Sequence, residues 1–146
     1  MANYTQITKS VLQKIMREYG MIPLADFSSI KGGNANSSFL VTTKSGKYVL
    51  TILEEKDFNQ ANDLAKLLNW LKTHHFITTI ICLTHSGQLI SQYEQKPIIL
   101  KKWIPGGIIK ELSIDMLKEA GNFLAKLHLI SAPEFLSKSG RLSASS

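Results

Sequence analysis

Residues 27–53 constrain the fold more than any other part of the chain, because their composition is that of strands separated by turns. Three runs rich in β-branched and aromatic residues are separated by turn formers, and these runs span 27–31, 38–43 and 48–53. The connections between them are short, and strands joined by short turns pair antiparallel. The segment therefore predicts an antiparallel sheet.

Three amphipathic helices are predicted around this sheet. The first follows Thr8 and ends at Gly20, the second is capped by Asp57 and runs to Lys72, and the third starts behind Ser113. Further strands are predicted at 80–84, 88–93 and 97–104. This order of elements indicates an α+β fold with a mostly antiparallel sheet.

Length and composition exclude several classes of protein. The chain of 146 residues is one domain's worth of sequence, and it has no apolar run long enough to cross a bilayer. A single cysteine, Cys82, excludes an internal disulfide framework and a cysteine-based zinc site. The first residues lack the layout of a signal peptide, so a cytoplasmic protein is expected.

The net charge of +6 raises the alternative of a nucleic-acid binder. The basic residues, however, are 15 Lys and only 2 Arg, spread along the whole chain. Base readout and bidentate phosphate contacts favour arginine, so a lysine-coated, solvated surface is the simpler interpretation. Nucleic acid is not an expected partner.

The segment 32–38 is the sharpest local feature. A glycine-rich hairpin tip lets backbone N–H groups approach phosphate oxygens without side chains in the way. The segment matches neither the phosphate loop that ends in Lys-Ser/Thr nor a strict G-x-G-x-x-G pattern. Taken alone, the segment is better explained as an ordinary hairpin turn.

The order of six short blocks resembles the aminoglycoside phosphotransferase and choline kinase superfamily, and most closely the homoserine kinases of that fold. The blocks are GNANSSFLVTT at 33–43, GKYVLTILE at 46–54, GQLI at 87–90, KPIIL at 96–100, IPG at 104–106 and GNFLAKLH at 121–128. The resemblance runs from about residue 5 to about residue 136. It implies a kinase-like small lobe with a five-stranded antiparallel sheet.

The resemblance also implies ATP as the nucleotide and assigns roles in binding it. The glycine-rich loop would cover the phosphates, Val49 and Thr51 would share one strand face, and the segment 100–104 would read the adenine edge as the connector between lobes. The implied nucleotide-binding residues are Gly32, Gly33, Asn34, Asn36, Ser37, Ser38, Val49, Thr51, Leu100, Lys101, Lys102, Trp103 and Ile104.

One position departs from the usual kinase pattern. Most kinases carry a lysine on the third strand, paired with a glutamate of the next helix. Here the strand position is Thr51 and the helix contains no glutamate, so both members of the pair are missing together. The homoserine kinase-like sequences that the chain resembles also carry threonine there. Lys31 and Lys47 are weak candidates for neutralising the phosphates.

The catalytic loop of the superfamily is missing from the sequence. None of the four histidines is followed two residues later by aspartate, so no catalytic residue and no metal ligand is assigned. Magnesium is expected to be held by the large lobe, which lies beyond these residues. The expected organisation is a small lobe at 1–104, a hinge and first large-lobe helix at 105–136, and a loose tail at 137–146.

These observations leave two leading hypotheses. The first is a fragment of an ATP-dependent kinase that phosphorylates a hydroxyl of a small molecule, homoserine above all. The second is a non-catalytic nucleotide-binding or interaction module of the same fold. In either case the face that normally meets the large lobe would be exposed, and self-association through it is expected.

Overall fold

The computed structural model describes residues 4–31 and 35–136. Three helices and five strands form within these ranges. They are α1 (Lys9–Glu18), β1 (Leu24–Ile30), β2 (Asn36–Thr43), β3 (Gly46–Leu53), α2 (Phe58–Thr73), β4 (Ser91–Tyr93), β5 (Lys96–Lys102) and α3 (Ile114–His128). The predicted α+β class is confirmed.

All five strands belong to one antiparallel sheet with the order β1-β2-β3-β5-β4. The first three strands form a meander, with Lys44 and Ser45 making the turn between β2 and β3. Helix α2 then separates β3 from its other neighbour, β5, in the sequence. The prediction of a five-stranded antiparallel sheet is confirmed.

The sheet separates two clusters of buried side chains. On its outer face, α1 packs Leu12, Ile15 and Met16 against alternate residues of the strands, including Leu50 and Leu100. On its inner face, α2 packs small residues against the strands, and this smaller cluster consists of Ala61, Ala65, Leu53 and Ile99. Because successive side chains of a strand point to opposite faces, only those on the inner face lie beside α2 and are available to form a site there.

The helix caps follow the sequence closely. The side-chain oxygens of Thr8, Asp57 and Ser113 each accept a hydrogen bond from a backbone N–H of the first helical turn. Gly20 follows α1 with a φ of +67°, a backbone conformation that glycine adopts without strain. All three predicted helix starts and the stop at Gly20 are confirmed.

The prediction of a strand at 80–84 is wrong. Ile81 forms only an isolated bridge to Lys101, and Thr84 enters a turn in which its N–H donates to the carbonyl of Gln88 at 2.9 Å. The segment reaches only the end of β5, whose beginning is already paired with β4 on the same edge. A β-branched run alone does not make a strand when so little of a partner's edge remains free.

No helix in the described part of the chain is long and apolar enough to span a membrane.

Candidate functional site

Two rows of residues cross the inner face of the sheet beside α2. Register places Ser38 opposite Thr51, and Thr51 opposite Ile99. One step along the strands, Leu40 lies opposite Val49, and Val49 opposite Lys101. Val49 and Thr51 therefore share the inner face. The row that contains Ser38 and Thr51 is called the polar row. The row beside it is apolar at Leu40 and Val49 and ends at the cation Lys101.

The polar row includes the last residue of the glycine-rich segment, Ser38. The hydroxyl oxygens of Ser38 and Thr51 lie 3.2 Å apart and form a hydrogen bond between β2 and β3. Asn36 has the same strand parity as Ser38, whereas Ser37 is buried on the opposite side. Of the four predicted polar residues of this segment, three lie in the described ranges, and two of these, Asn36 and Ser38, share the inner face. Gly32, Gly33 and Asn34 lie outside the described residues.

Ser37 belongs instead to a polar cluster that fastens the base of the hairpin. Its hydroxyl donates to the Glu54 carboxylate, which also accepts from the Thr5 N–H at 3.0 Å and from the Thr5 hydroxyl at 3.1 Å. Lys96 completes the cluster with an ion pair of 2.5 Å to Glu54 and a hydrogen bond of 2.9 Å to Thr5. The cluster thus joins the segment before α1, β2, the end of β3 and the start of β5.

The electrostatics of this cluster favour the charged form of Glu54. Burial by itself would raise the pKa of the carboxyl, but hydrogen bonds from Lys96, Ser37 and Thr5 more than offset it. The net result lowers the pKa of Glu54 from its ordinary 4.5 to about 2. Sequence reasoning missed this ion pair. Glu54 follows the end of β3 and Lys96 begins β5, so their opposite charges indicate an ion pair only once the two strands are known to be neighbours.

A cavity of about 200 Å³ opens at the end of β5, where the strand leads into the connector toward α3. It is lined by Val49, Thr79, Lys101, Lys102, Trp103 and Ile104. Five of these six were predicted from the sequence; Thr79 was not. The side chain of Leu100 is completely buried in the outer core, so this predicted residue contributes no side chain to the cavity.

The backbone of the connector is partly engaged in the fold. The N–H of Lys102 donates to the carbonyl of Ile80 at 2.9 Å, and the N–H of Trp103 donates to that of Lys47 at 3.0 Å. Within the described ranges the N–H of Ile104 has no hydrogen-bond partner. The N–H of Ile104 is thus a backbone donor beside the cavity that is able to serve a ligand.

Two described cations, Lys101 and Lys102, line this cavity, and of the two it is Lys101 that shares the inner face with Val49 by its strand position. It is half-buried, and burial lowers the pKa of its ammonium group. Among the described residues the single ion pair is the one between Lys96 and Glu54, so Lys101 has no carboxylate partner there. A desolvated, unpaired cation in a cavity is a strong candidate for contact with a ligand acceptor.

The described ranges contain no group of three or more His, Cys, Asp or Glu side chains arranged to hold a metal ion. The inner face offers instead the hydroxyls of Ser38 and Thr51, the N–H of Ile104, the ammonium group of Lys101 and an apolar wall. This set suits a ligand with a flat apolar part and polar acceptors.

Comparison with known proteins places the chain among phosphotransferases. The sequence pattern of the phosphotransferase enzyme family matches residues 26–144. A homoserine kinase of Caulobacter vibrioides is 35% identical over 133 residues, covering 88% of this chain and 41% of that protein. A homoserine kinase of Phenylobacterium zucineum is 30% identical over 131 residues, covering 88% and 40%. The chain thus spans about two-fifths of the length of these relatives.

A solved structure supports the same fold. A spectinomycin phosphotransferase, crystallised with ADP and spectinomycin, superposes with a TM-score of 0.68 over 88% of this chain and 40% of that protein, at 19% sequence identity. At this identity the match establishes the fold, a kinase-like small lobe.

Proposed function

The chain belongs to the phosphotransferase enzyme family, and from this premise we propose that it forms the nucleotide-binding lobe of an ATP-dependent kinase. The observation that carries the proposal is the cavity between Val49 and the connector, at the end of β5. An apolar wall beside a free backbone N–H is what an adenine ring requires, because the ring has a flat apolar face and a hydrogen-bonding edge. The spectinomycin phosphotransferase of the same fold was solved with ADP.

Each group of the inner face has a role in this proposal. Val49 covers the base, the N–H of Ile104 donates to a ring nitrogen, and Trp103 borders the base through apolar contact. Ser38, held beside Thr51 by their hydrogen bond, presents a hydroxyl at the phosphate end. Backbone N–H groups of the glycine-rich segment 32–38 would cover the phosphates. Because the described residues offer no carboxylate cluster for Mg²⁺, its ligands are proposed to come from a large lobe.

The proposed acceptor is the hydroxyl group of a small molecule, and homoserine is the leading candidate. Its support is the 30% and 35% identity to two homoserine kinases. A place in threonine biosynthesis would follow from that substrate. A cytoplasmic location is proposed with it, since the free thiol of Cys82 suits a reducing compartment. Residues 105–136 would be the hinge and the first helix of the large lobe.

Replacing Val49 with Phe tests the nucleotide site. The larger ring would fill much of the cavity, so ADP with Mg²⁺ is expected to bind at least tenfold more weakly, as measured by isothermal titration calorimetry. Val11→Phe is the matched control, because Val11 is a half-buried valine that packs against the outer core on α1. Equal affinities in the two variants, with both folded by circular dichroism, would contradict the assignment of the cavity to the base.

The face of α3 supports a second proposal, self-association of this chain. Helix α3 contains no buried residue, and Leu117 and Leu124, seven residues apart, are each more than half exposed. Exposed apolar surfaces of this kind promote association. Sedimentation velocity is expected to show concentration-dependent dimers or larger species, which Leu117→Lys with Leu124→Lys reduces without unfolding the sheet. A strictly monomeric wild-type chain at high concentration would contradict this proposal.

A further inference from the structure

The half-buried ammonium of Lys101 bears on which base the cavity accepts. Lys101 lies opposite Val49 in the register of β3 and β5, and its other strand edge meets Ile81 through the isolated bridge. Strand position therefore directs its side chain to the inner face, at the wall where the base would lie. The residues at the phosphate end, Ser38 and Thr51, are not among those that line this cavity.

The side chain of lysine can donate hydrogen bonds but cannot accept them. An ammonium group carries three N–H donors and no acceptor. An acceptor on the ligand can therefore form a hydrogen bond with the ammonium group, and a donor on the ligand cannot. Burial increases the strength of such a charge-assisted hydrogen bond and the cost of leaving the ammonium without one. Lys101 is half-buried and has no carboxylate partner in the described part of the chain. An acceptor on the ligand would therefore give its ammonium group a hydrogen-bond partner.

Purine bases differ at the edge that a cation reads. Guanine presents two adjacent acceptors, O6 and N7, and contacts from Lys or Arg to this pair are a frequent specific contact with guanine. Adenine presents N7 but carries an amino group, a donor, at the same position as O6. A lysine beside the base therefore favours an oxygen at C6, while its flexible stem can move away from an amino group.

We propose, on the basis of the nucleotide site proposed above, that Lys101 lets this site accept purine nucleotides with an oxygen at C6, guanine and hypoxanthine, as well as adenine. Its ammonium donates to O6 of such a base at the back of the cavity formed with Val49, Trp103 and Ile104. The role of Lys101 is base selection, and Ser38 lies at the phosphate end of the site.

Calorimetric titrations of ATP, GTP and ITP with Mg²⁺ test this role, using the wild type, Lys101→Met and Lys44→Met. Methionine keeps an apolar stem and removes the ammonium group. Lys44 lies in the exposed turn between β2 and β3 and controls for the loss of one charge. In the wild type and the control, GTP and ITP are expected to bind within about threefold of ATP. In Lys101→Met they are expected to bind at least tenfold more weakly, while ATP changes by less than threefold.

Two results would overturn the proposal while leaving the nucleotide site intact. One is a wild-type chain that binds GTP and ITP more than tenfold more weakly than ATP. The other is an equal loss of all three nucleotides in Lys101→Met, which would assign the ammonium to the phosphates that they share. If none of the three nucleotides binds to the wild-type chain, the proposed function itself fails, and base selection by Lys101 fails with it.

Discussion

Residues 1–146 alone are expected to transfer no phosphoryl group from ATP to homoserine, choline or an aminoglycoside in the presence of Mg²⁺. Phosphoryl transfer needs positioned metal ions and a carboxylate that orients the attacking hydroxyl. The described residues offer no such metal cluster, and no histidine of the chain is followed two residues later by aspartate. General base help contributes roughly 10²–10⁴ in rate, and the metal ions contribute several kcal/mol more. The expected loss is therefore at least about 10⁴-fold.

The comparison enzyme for this assay is the full-length homoserine kinase of Caulobacter vibrioides, which shares 35% identity with the chain. Consumption of ATP is measured for both proteins with the same acceptors. Turnover by residues 1–146 that disappears on substitution within this chain would contradict the placement of the chemistry outside the described residues. It would also exclude the alternative of a non-catalytic module.

Replacing Glu54 with Gln is expected to destabilise the fold by roughly 2–3 kcal/mol. The substitution removes the ion pair with Lys96 and leaves a neutral amide where Ser37 and Thr5 donate to a carboxylate. This loss is smaller than the lowered pKa of Glu54 alone would imply, because the Lys96 side chain is 36% exposed and solvent screens the ion pair. Urea unfolding at pH 7 measures the loss. Glu55→Gln is the matched control, since Glu55 is the exposed neighbour in the sequence.

The same cluster predicts how stability depends on pH. The pKa of Glu54 is about 2 in the folded chain and near 4.5 when unfolded, so the unfolded state binds the proton more readily. The contribution of Glu54 to the free energy of unfolding is thus fully present above about pH 4.5 and is lost as the pH falls toward 2. Glu54→Gln lacks this component, so the difference in stability between wild type and variant should shrink over that range. Parallel curves from pH 6 to pH 2 would contradict the role of the ion pair.

Local signals in the sequence were sufficient for most elements of the fold. The caps at Thr8, Asp57 and Ser113 depend only on residues within one turn of the helix start, and each is present in the structure. The meander of β1, β2 and β3 depends on β-branched and aromatic runs separated by short turns. The segment 80–84 has the same composition as a strand, but pairing is a property of two segments, and only the end of β5 was available to it.

The placement of the candidate site residues was predictable where it depends on strand parity and not where it depends on distant contacts. Parity correctly placed Val49 and Thr51 on one face, and the connector residues 101–104 do line a cavity with Val49. The cluster of Glu54, Lys96 and Thr5 joins residues up to 91 positions apart, and no local pattern reports such a contact. Likewise, only the packed structure shows that Lys101 is half-buried without a partner among the described residues, while its neighbour Lys102 is exposed.

Titration of isotopically labelled chain with ADP and Mg²⁺, followed by amide chemical shifts, tests the proposed nucleotide site most directly. The two faces of the sheet give opposite predictions, because α1 covers one and the candidate site occupies the other. Saturable shift changes are predicted at Ser38, Val49, Thr51, Lys101 and Ile104, with the residues of α1 unaffected. Shift changes confined to α1 and the outer face, or no change at millimolar ADP, would contradict the account.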